Sequence, residues 1–293
     1  MNRSSLEGWL GHLESLHPTV MDLGLQRVGQ VARALDLSAP SVPVITVAGT
    51  NGKGSTVAVL EALLRGTGRR PGCFTSPHFI RFNERVRVDG IEASDAQLVD
   101  AFEAIEAARG DTSLTYFEFA TLAALWVFRE AGADVLVLEV GLGGRLDSVN
   151  IIDPQVSVIT RIDLDHQDWL GDSRELIARE KAGILRPGRP AVIADPDPPA
   201  SLVGAIDGIG ADPVYRFGHE FTAVAEPDRW RGRVLLPGGD EMPVSGPMGP
   251  LLPVNVAAAL QAAAALGLQW TAGQLEEALG GLRFTGRRQR LHR

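Results

Sequence analysis

Four short stretches of this chain carry side chains whose types and spacing could do chemistry. In "VAGTNGKGST" (47–56), glycines let backbone N–H groups approach an anion and the start of a helix favours negative charge. Lys53 adds a point charge there, and Ser55 offers a hydroxyl to Mg²⁺. The spacing departs from the standard phosphate loop because Gly54 stands between Lys53 and Ser55, and the plainer reading is a tight strand-to-helix connection. In "LEVGLGGRLDSVN" (138–150), Glu139 ends an apolar run, where an uncompensated carboxylate would be costly. It calls for a cation, either a metal or Arg145. In "DLDHQDW" (163–169), His166 follows the end of another apolar run. A lone histidine is ordinarily structural, but hydroxyl, carboxylate and imidazole at one sheet edge can ligate Mg²⁺. Imidazole is not magnesium's preferred ligand, so His166 is expected at a second metal shared with other groups.

The fourth stretch, "RELIAREKAGIL" (174–185), holds Lys181, one of only two lysines among 28 basic residues; the other is Lys53. On a helix its neighbours three and four residues away are Ile177, Ala178, Ile184 and Leu185, so it lies on the apolar face. Burial favours the neutral amine, which can take up CO₂ as a carbamate; a guanidinium cannot. The alternative is a snorkelling lysine paired with Glu175 or Glu180. Weaker signals are Tyr116 and Phe117 beside Glu118, suited to a flat heterocycle or simply to a core, and the arginine-rich "TSPHFIRFNERVRV" (75–88).

The elements that must position these groups are legible as an alternation. "VPVITVA" (42–48) is a β-branched run leading into the glycine loop and then a helical pattern. "DVLVLEV" (134–140) and "QVSVIT" (155–160) are continuous apolar strands of the kind buried on both faces of a parallel sheet, and "PAVIAD" (190–195) is a further strand. Helical patterns separate them, so the fold class is α/β: a mostly parallel sheet with flanking helices, active residues at the strand ends, and a small antiparallel β region near 214–245. With 45% hydrophobic residues the chain can bury a full core. A net charge of -8 argues against nucleic acid as a partner, and the lone Cys73 suits a reducing compartment. No apolar run reaches membrane-spanning length and the N-terminus does not read as a signal peptide, so a cytoplasmic protein is expected.

Taken together, "VAGTNGKGST", "TSPHFIRFNERVRV", "LTYFE", "LEVGLGGRLDSVN" and "DHQDWLG" followed by "AREKAGI" resemble, in order and spacing, the bacterial bifunctional dihydrofolate synthase/folylpolyglutamate synthases of the Mur ligase superfamily. The likeness runs from "WLGHLESLHPTVMDLGLQRV" to "TGRRQR". It implies a P-loop-like ATPase domain over 1–286, a linker starting at 287–293, and a C-terminal ligase domain that this sequence does not contain, so that the chain alone would turn over poorly. The implied activity is an ATP-dependent amide ligase joining L-glutamate to dihydropteroate and to folates through an acyl phosphate.

By the same resemblance, Asn51, Gly52, Lys53 and Gly54 cradle the phosphates, Asn255 and Arg287 contact ATP, and Ser55, Glu139 and His166 ligate Mg²⁺. A carbamylated Lys181 would hold a second metal, with Lys53, Lys181 and His166 as the catalytic groups. Asp22, Leu23, Gly24, Leu25, Thr115, Tyr116, Phe117, Glu118, Leu146, Asp147 and Ser148 match the pterin-substrate segments. The chain is expected to be a monomer acting on small molecules, without nucleic acid or membrane. Two rival readings are a ligase of cell-wall precursors and a nucleotide-binding module without catalysis.

Overall fold

The computed structural model describes residues 4–16 and 22–282. Helices α1 (Leu6–Leu16) and α2 (Gln26–Ala34) precede β1 (Val44–Ala48), which feeds α3 (Lys53–Gly66). Next come β2 (Pro71–Phe74), a 3-10 turn over Phe82–Arg85, β3 (Val86–Val88) and β4 (Ile91–Glu92). Helices α4 (Asp95–Arg109) and α5 (Tyr116–Glu130) lead to β5 (Val135–Glu139). After a 3-10 turn at Ser148–Ile151 follow β6 (Val156–Ile159), α6 (Gln167–Leu170), α7 (Arg174–Ala182), β7 (Ala191–Ile193), α8 (Ala200–Ile209) and β8 (Val214–Arg216). The remainder is β9 (Thr222–Ala225), β10 (Arg229–Leu235), β11 (Glu241–Pro247), α9 (Pro253–Ala265) and α10 (Ala272–Gly280).

The main sheet runs β4-β3-β2-β5-β1-β6-β7-β8. From β2 to β8 every pairing is parallel, and only β3 and β4 are antiparallel, at one edge. Continuous apolar strands suit it because both faces are covered. Along β5, Val135 and Val137 pack with α3 and α9, whereas Leu136 and Leu138 pack with the side chains of α4 and α5. A third cluster lies under α7 and α8. The expected antiparallel region starts later than the sequence reading placed it. Val214–Arg216 pairs parallel with β7 and closes the main sheet, because Tyr215 is buried in that layer. The antiparallel sheet is β11-β10-β9, covering 222–247.

That small sheet packs Trp230, Val234 and Val244 into the core, and a buried polar side chain adds a tie. Gln261, fully buried on α9, accepts from the Leu235 amide at 2.9 Å and donates to the Leu235 carbonyl at 2.8 Å, so both backbone groups of a strand end are satisfied. The alanine-rich α9 has little side-chain bulk, which lets it sit between α3 and β10.

Pairing register brings the chemistry-bearing strand ends together. Val47 lies beside Glu139, Ala48 beside Ile159, and Phe74 beside Leu138. The loops after β1, β2, β5 and β6 therefore leave the same carboxyl edge, the usual place for a ligand in an open α/β sheet.

Candidate active site

The loop between β1 and α3 is built for an anion. Helix α3 has no side-chain cap and no acidic residue in its first turn, so its N-terminal N–H groups carry the helix's positive end without a competing carboxylate. Gly52, at φ 101°, turns the chain into the helix, and a Cβ there would lie 2.5 Å from Asn255 Oδ1. Asn255, buried in the first turn of α9, thus lies directly against the loop. Ser55 is buried in the first turn of α3. The Lys53 Nζ folds back to donate to the carbonyls of Gly49 at 2.9 Å and Thr50 at 3.3 Å.

Thr50 ties this loop to the one carrying His166. Its amide donates to the Arg161 carbonyl at 2.8 Å, and its hydroxyl donates to the Asp163 carbonyl at 3.0 Å while accepting the Asp163 amide at 3.1 Å. His166 is exposed, has left-handed backbone at φ 48°, and faces Asp165 with Nε2 to Oδ2 3.7 Å. The same loop approaches Lys181, whose protonated form the Asp165 charge favours.

Lys181 is 4% exposed, and its Nζ donates to the Gly49 carbonyl at 3.0 Å. The two lysines of the chain therefore converge on one carbonyl oxygen from positions far apart in sequence. The snorkelling alternative is overturned by the whereabouts of its partners. Glu175 accepts the Ala200 and Ser201 amides at the start of α8, and Glu180 pairs with Arg145 at 2.9 Å. Burial, and next the charge of Lys53, push the Lys181 amine down to about 7.

Glu139 is 3% exposed at the end of β5 and accepts the Ser76 amide at 3.3 Å. Arg145, the cation expected as its alternative partner, is engaged with Glu180 instead because the "GLGG" turn seats it on α7. No three His, Cys, Asp or Glu side chains come together as a ready metal centre among the described residues. The expected donor set of Ser55, Glu139, His166 and Lys181 contains only two of those types. A cleft of about 840 Å³ opens beside Glu139, with Gly54, Ser76 and Glu277 also in its lining.

The three segments matched to the pterin substrate meet around the start of α5. Thr115 caps that helix and Glu118 completes the capping box, accepting the Thr115 amide at 2.7 Å. Arg27 donates to the Asp22 carboxylate at 2.7 Å, to the Asp22 carbonyl at 2.8 Å and to Glu118 at 3.3 Å. Leu23, Gly24 and Leu25 follow, half-buried. Phe117 lies under Gly141, where a Cβ would come within 2.4 Å of its ring, and Ser148 Oγ is 2.6 Å from Thr121 Oγ1. Leu146 is half-buried beside them. Asp147 accepts the amides of Gly141, Leu142 and Val149, and burial raises its carboxyl to about 6.

Sequence reading missed several of these groups. Ser76 reaches Glu139 only through the β2–β5 pairing. Arg85, which donates to His78 Nδ1 at 2.8 Å and stands over the Tyr116 ring at 5.9 Å, was hidden among other arginines. Arg27 and Thr50 act through contacts 91 and 113 residues away. Arg287 lies outside the described residues.

Residues 47–234 match the Mur ligase middle domain. The chain is 44% identical over 98% of its length to the dihydrofolate synthase/folylpolyglutamate synthase of Escherichia coli strain K12, and spans 67% of that relative. It superposes on the structure of E. coli FolC in complex with DHPP and ADP with a TM-score of 0.93 at 43% identity, covering 99% of this chain and 69% of that one. A solved bifunctional folylpolyglutamate synthase/dihydrofolate synthase with Mn, AMPPNP and L-glutamate bound gives a TM-score of 0.87 at 45% identity, over 99% and 69% of the two chains.

Proposed function

Because the chain belongs to the dihydrofolate synthase/folylpolyglutamate synthases of the Mur ligase family, we propose that it is an ATP-dependent amide ligase joining L-glutamate to dihydropteroate and to folates. The substrate carboxylate attacks the γ-phosphorus of ATP, the bond to the β,γ-bridging oxygen breaks, and ADP leaves. The glutamate amine then attacks the acyl phosphate carbon, loses its proton and expels inorganic phosphate. Little covalent work falls to the protein, so positioning and charge neutralisation carry the rate. Asn51, Gly52, Lys53 and Gly54 hold the phosphates against the start of α3, and Asn255 closes over Gly52 toward the nucleotide. Arg287 is proposed as a further nucleotide contact.

Two divalent ions, with Mg²⁺ as the metal, are proposed for this edge. Ser55 and Glu139 would hold the first, with Ser76 beside the same carboxylate; Glu139, His166 and a carbamylated Lys181 would hold the second. Bound there, the ions would neutralise charge on the transferred phosphoryl group. An amine held near 7 has a large neutral fraction, so Lys181 Nζ can add to CO₂ and release a proton, becoming a carboxylate-like donor. The pterin end of the substrate is assigned to Asp22–Leu25, Thr115–Glu118 and Leu146–Ser148. Residues 1–286 are taken as the ATP- and folate-binding domain of a cytoplasmic monomer. No described helix is long and apolar enough to cross a membrane.

The observation that carries this reading is the meeting of Lys53 and Lys181 on the Gly49 carbonyl at the carboxyl edge of the sheet. Incubation with ATP, Mg²⁺, dihydropteroate and L-glutamate, read by mass spectrometry so that slow turnover registers, is expected to yield dihydrofolate only when all four are present. Ligation of a UDP-muramyl precursor with no product from dihydropteroate would favour the cell-wall reading.

A further inference from the structure

The segment Asp22–Leu25 leads directly into α2. Leu25 stands at the N-cap of α2 without any side-chain cap, and Gly24 has open space where a Cβ would be. Arg27, in the first turn of the following helix, reaches back over it. One Nη donates to Asp22 Oδ2 and the other to the Asp22 carbonyl, so side chain and backbone are both fixed by one planar fork. The second Nη also donates to Glu118 Oε1 at 3.3 Å, while Glu118 Oε2 accepts the Thr115 amide. Both oxygens of one nearly buried carboxylate are thus used, one to start α5 and one to hold the guanidinium.

We infer that Arg27 is a positioning residue for the pterin end of the substrate, holding Asp22–Leu25 and Thr115–Glu118 at a fixed spacing so that a flat ring can lie between or against them. The inference rests on the assignment of those two segments to the folate substrate. A lysine would keep the charge but offers a single ammonium, which cannot span the Asp22 carboxylate, the Asp22 carbonyl and Glu118 in the same plane.

The test is a pair of titrations on the 293-residue protein, one with Mg²⁺–AMPPNP and one with dihydropteroate. Arg27→Gln is expected to weaken dihydropteroate binding about tenfold or more, the range for hydrogen bonds to charged groups, while nucleotide affinity stays at the wild-type value. Arg27→Lys should recover only part of the loss. Equal dihydropteroate affinity in wild type and Arg27→Gln, or an equal fall in both affinities, overturns the inference. Should Arg27→Gln fail to fold, Asp22→Asn removes one arm of the clip at a half-exposed site and is expected to give a smaller loss of the same selectivity; no loss overturns the inference. A wild-type protein that takes up nucleotide but no dihydropteroate overturns the folate assignment itself, before any variant is compared.

Discussion

Lys181 and Lys53 donate to the same oxygen, and this asks for an amine rather than a guanidinium at both positions. Lys181→Arg is expected to lower ligase turnover about 100-fold or more, at least the upper range for losing an outer partner of a metal ligand, because arginine forms no carbamate. Retained turnover in steady-state assays would remove the carbamate from the account. Its titration gives a second check. The folded amine sits near 7 against an ordinary 10.5, so between those values the unfolded chain binds the proton and the folded one does not. In CO₂-free, metal-free buffer, stability should therefore rise with pH from about 7 to 10.5, and Lys181→Met should lose that rise in urea midpoints. Asp147 has the opposite sign: its carboxyl is raised from 3.8 to about 6, so its contribution falls as pH rises through that window, a slope that Asp147→Asn should abolish. The inward face of Lys181 was readable from helical spacing alone. Ser76 beside Glu139 was not, since the contact joins residues 63 apart through a pairing the local pattern does not specify.

At the scale of elements, glycines set how closely the site's parts approach. Gly144 faces the end of α7, where a Cβ would lie 2.8 Å from the Glu180 carbonyl and 3.0 Å from Lys181 Cα. Gly183 makes the reciprocal approach, its Cβ position falling 2.4 Å from Arg145 Cβ. Gly144→Ala must therefore push α7 away and is expected to cost about 1–3 kcal/mol by denaturant unfolding, with a larger proportional loss in turnover. An unchanged unfolding midpoint would show that α7 yields freely. Gln261→Ala leaves two backbone groups of Leu235 unpaired and should cost about 2 kcal/mol or more. The strand–loop–helix around Lys53 and the helices ending in glycine were legible, because each is a local pattern. Val214–Arg216 was misplaced because three residues carry no period that distinguishes the edge of a parallel sheet from a hairpin.

Across the whole molecule, the proposed nucleotide site joins parts far apart in sequence: the β1 loop, the His166 loop through Thr50, and α9 through Asn255. Ligand that binds only the folded state should stabilise all of them together, by about 2.7 kcal/mol at a hundredfold excess over Kd. A thermal shift with Mg²⁺–AMPPNP that Gly52→Ala abolishes is the expected outcome; a shift that survives in that variant would place the nucleotide elsewhere. A parallel sheet was legible from its doubly buried strands, whereas the insertion of β5 between β1 and β2, which sets Glu139 beside the end of β1, was not. The central claim is that this edge activates a pterin-linked carboxylate. It is tested most directly by titrating the Mg²⁺–AMPPNP-loaded protein with dihydropteroate and, separately, with a UDP-muramyl precursor. Saturable binding of dihydropteroate at one site per chain, and none of the muramyl nucleotide, is predicted; muramyl binding without dihydropteroate binding would contradict the account.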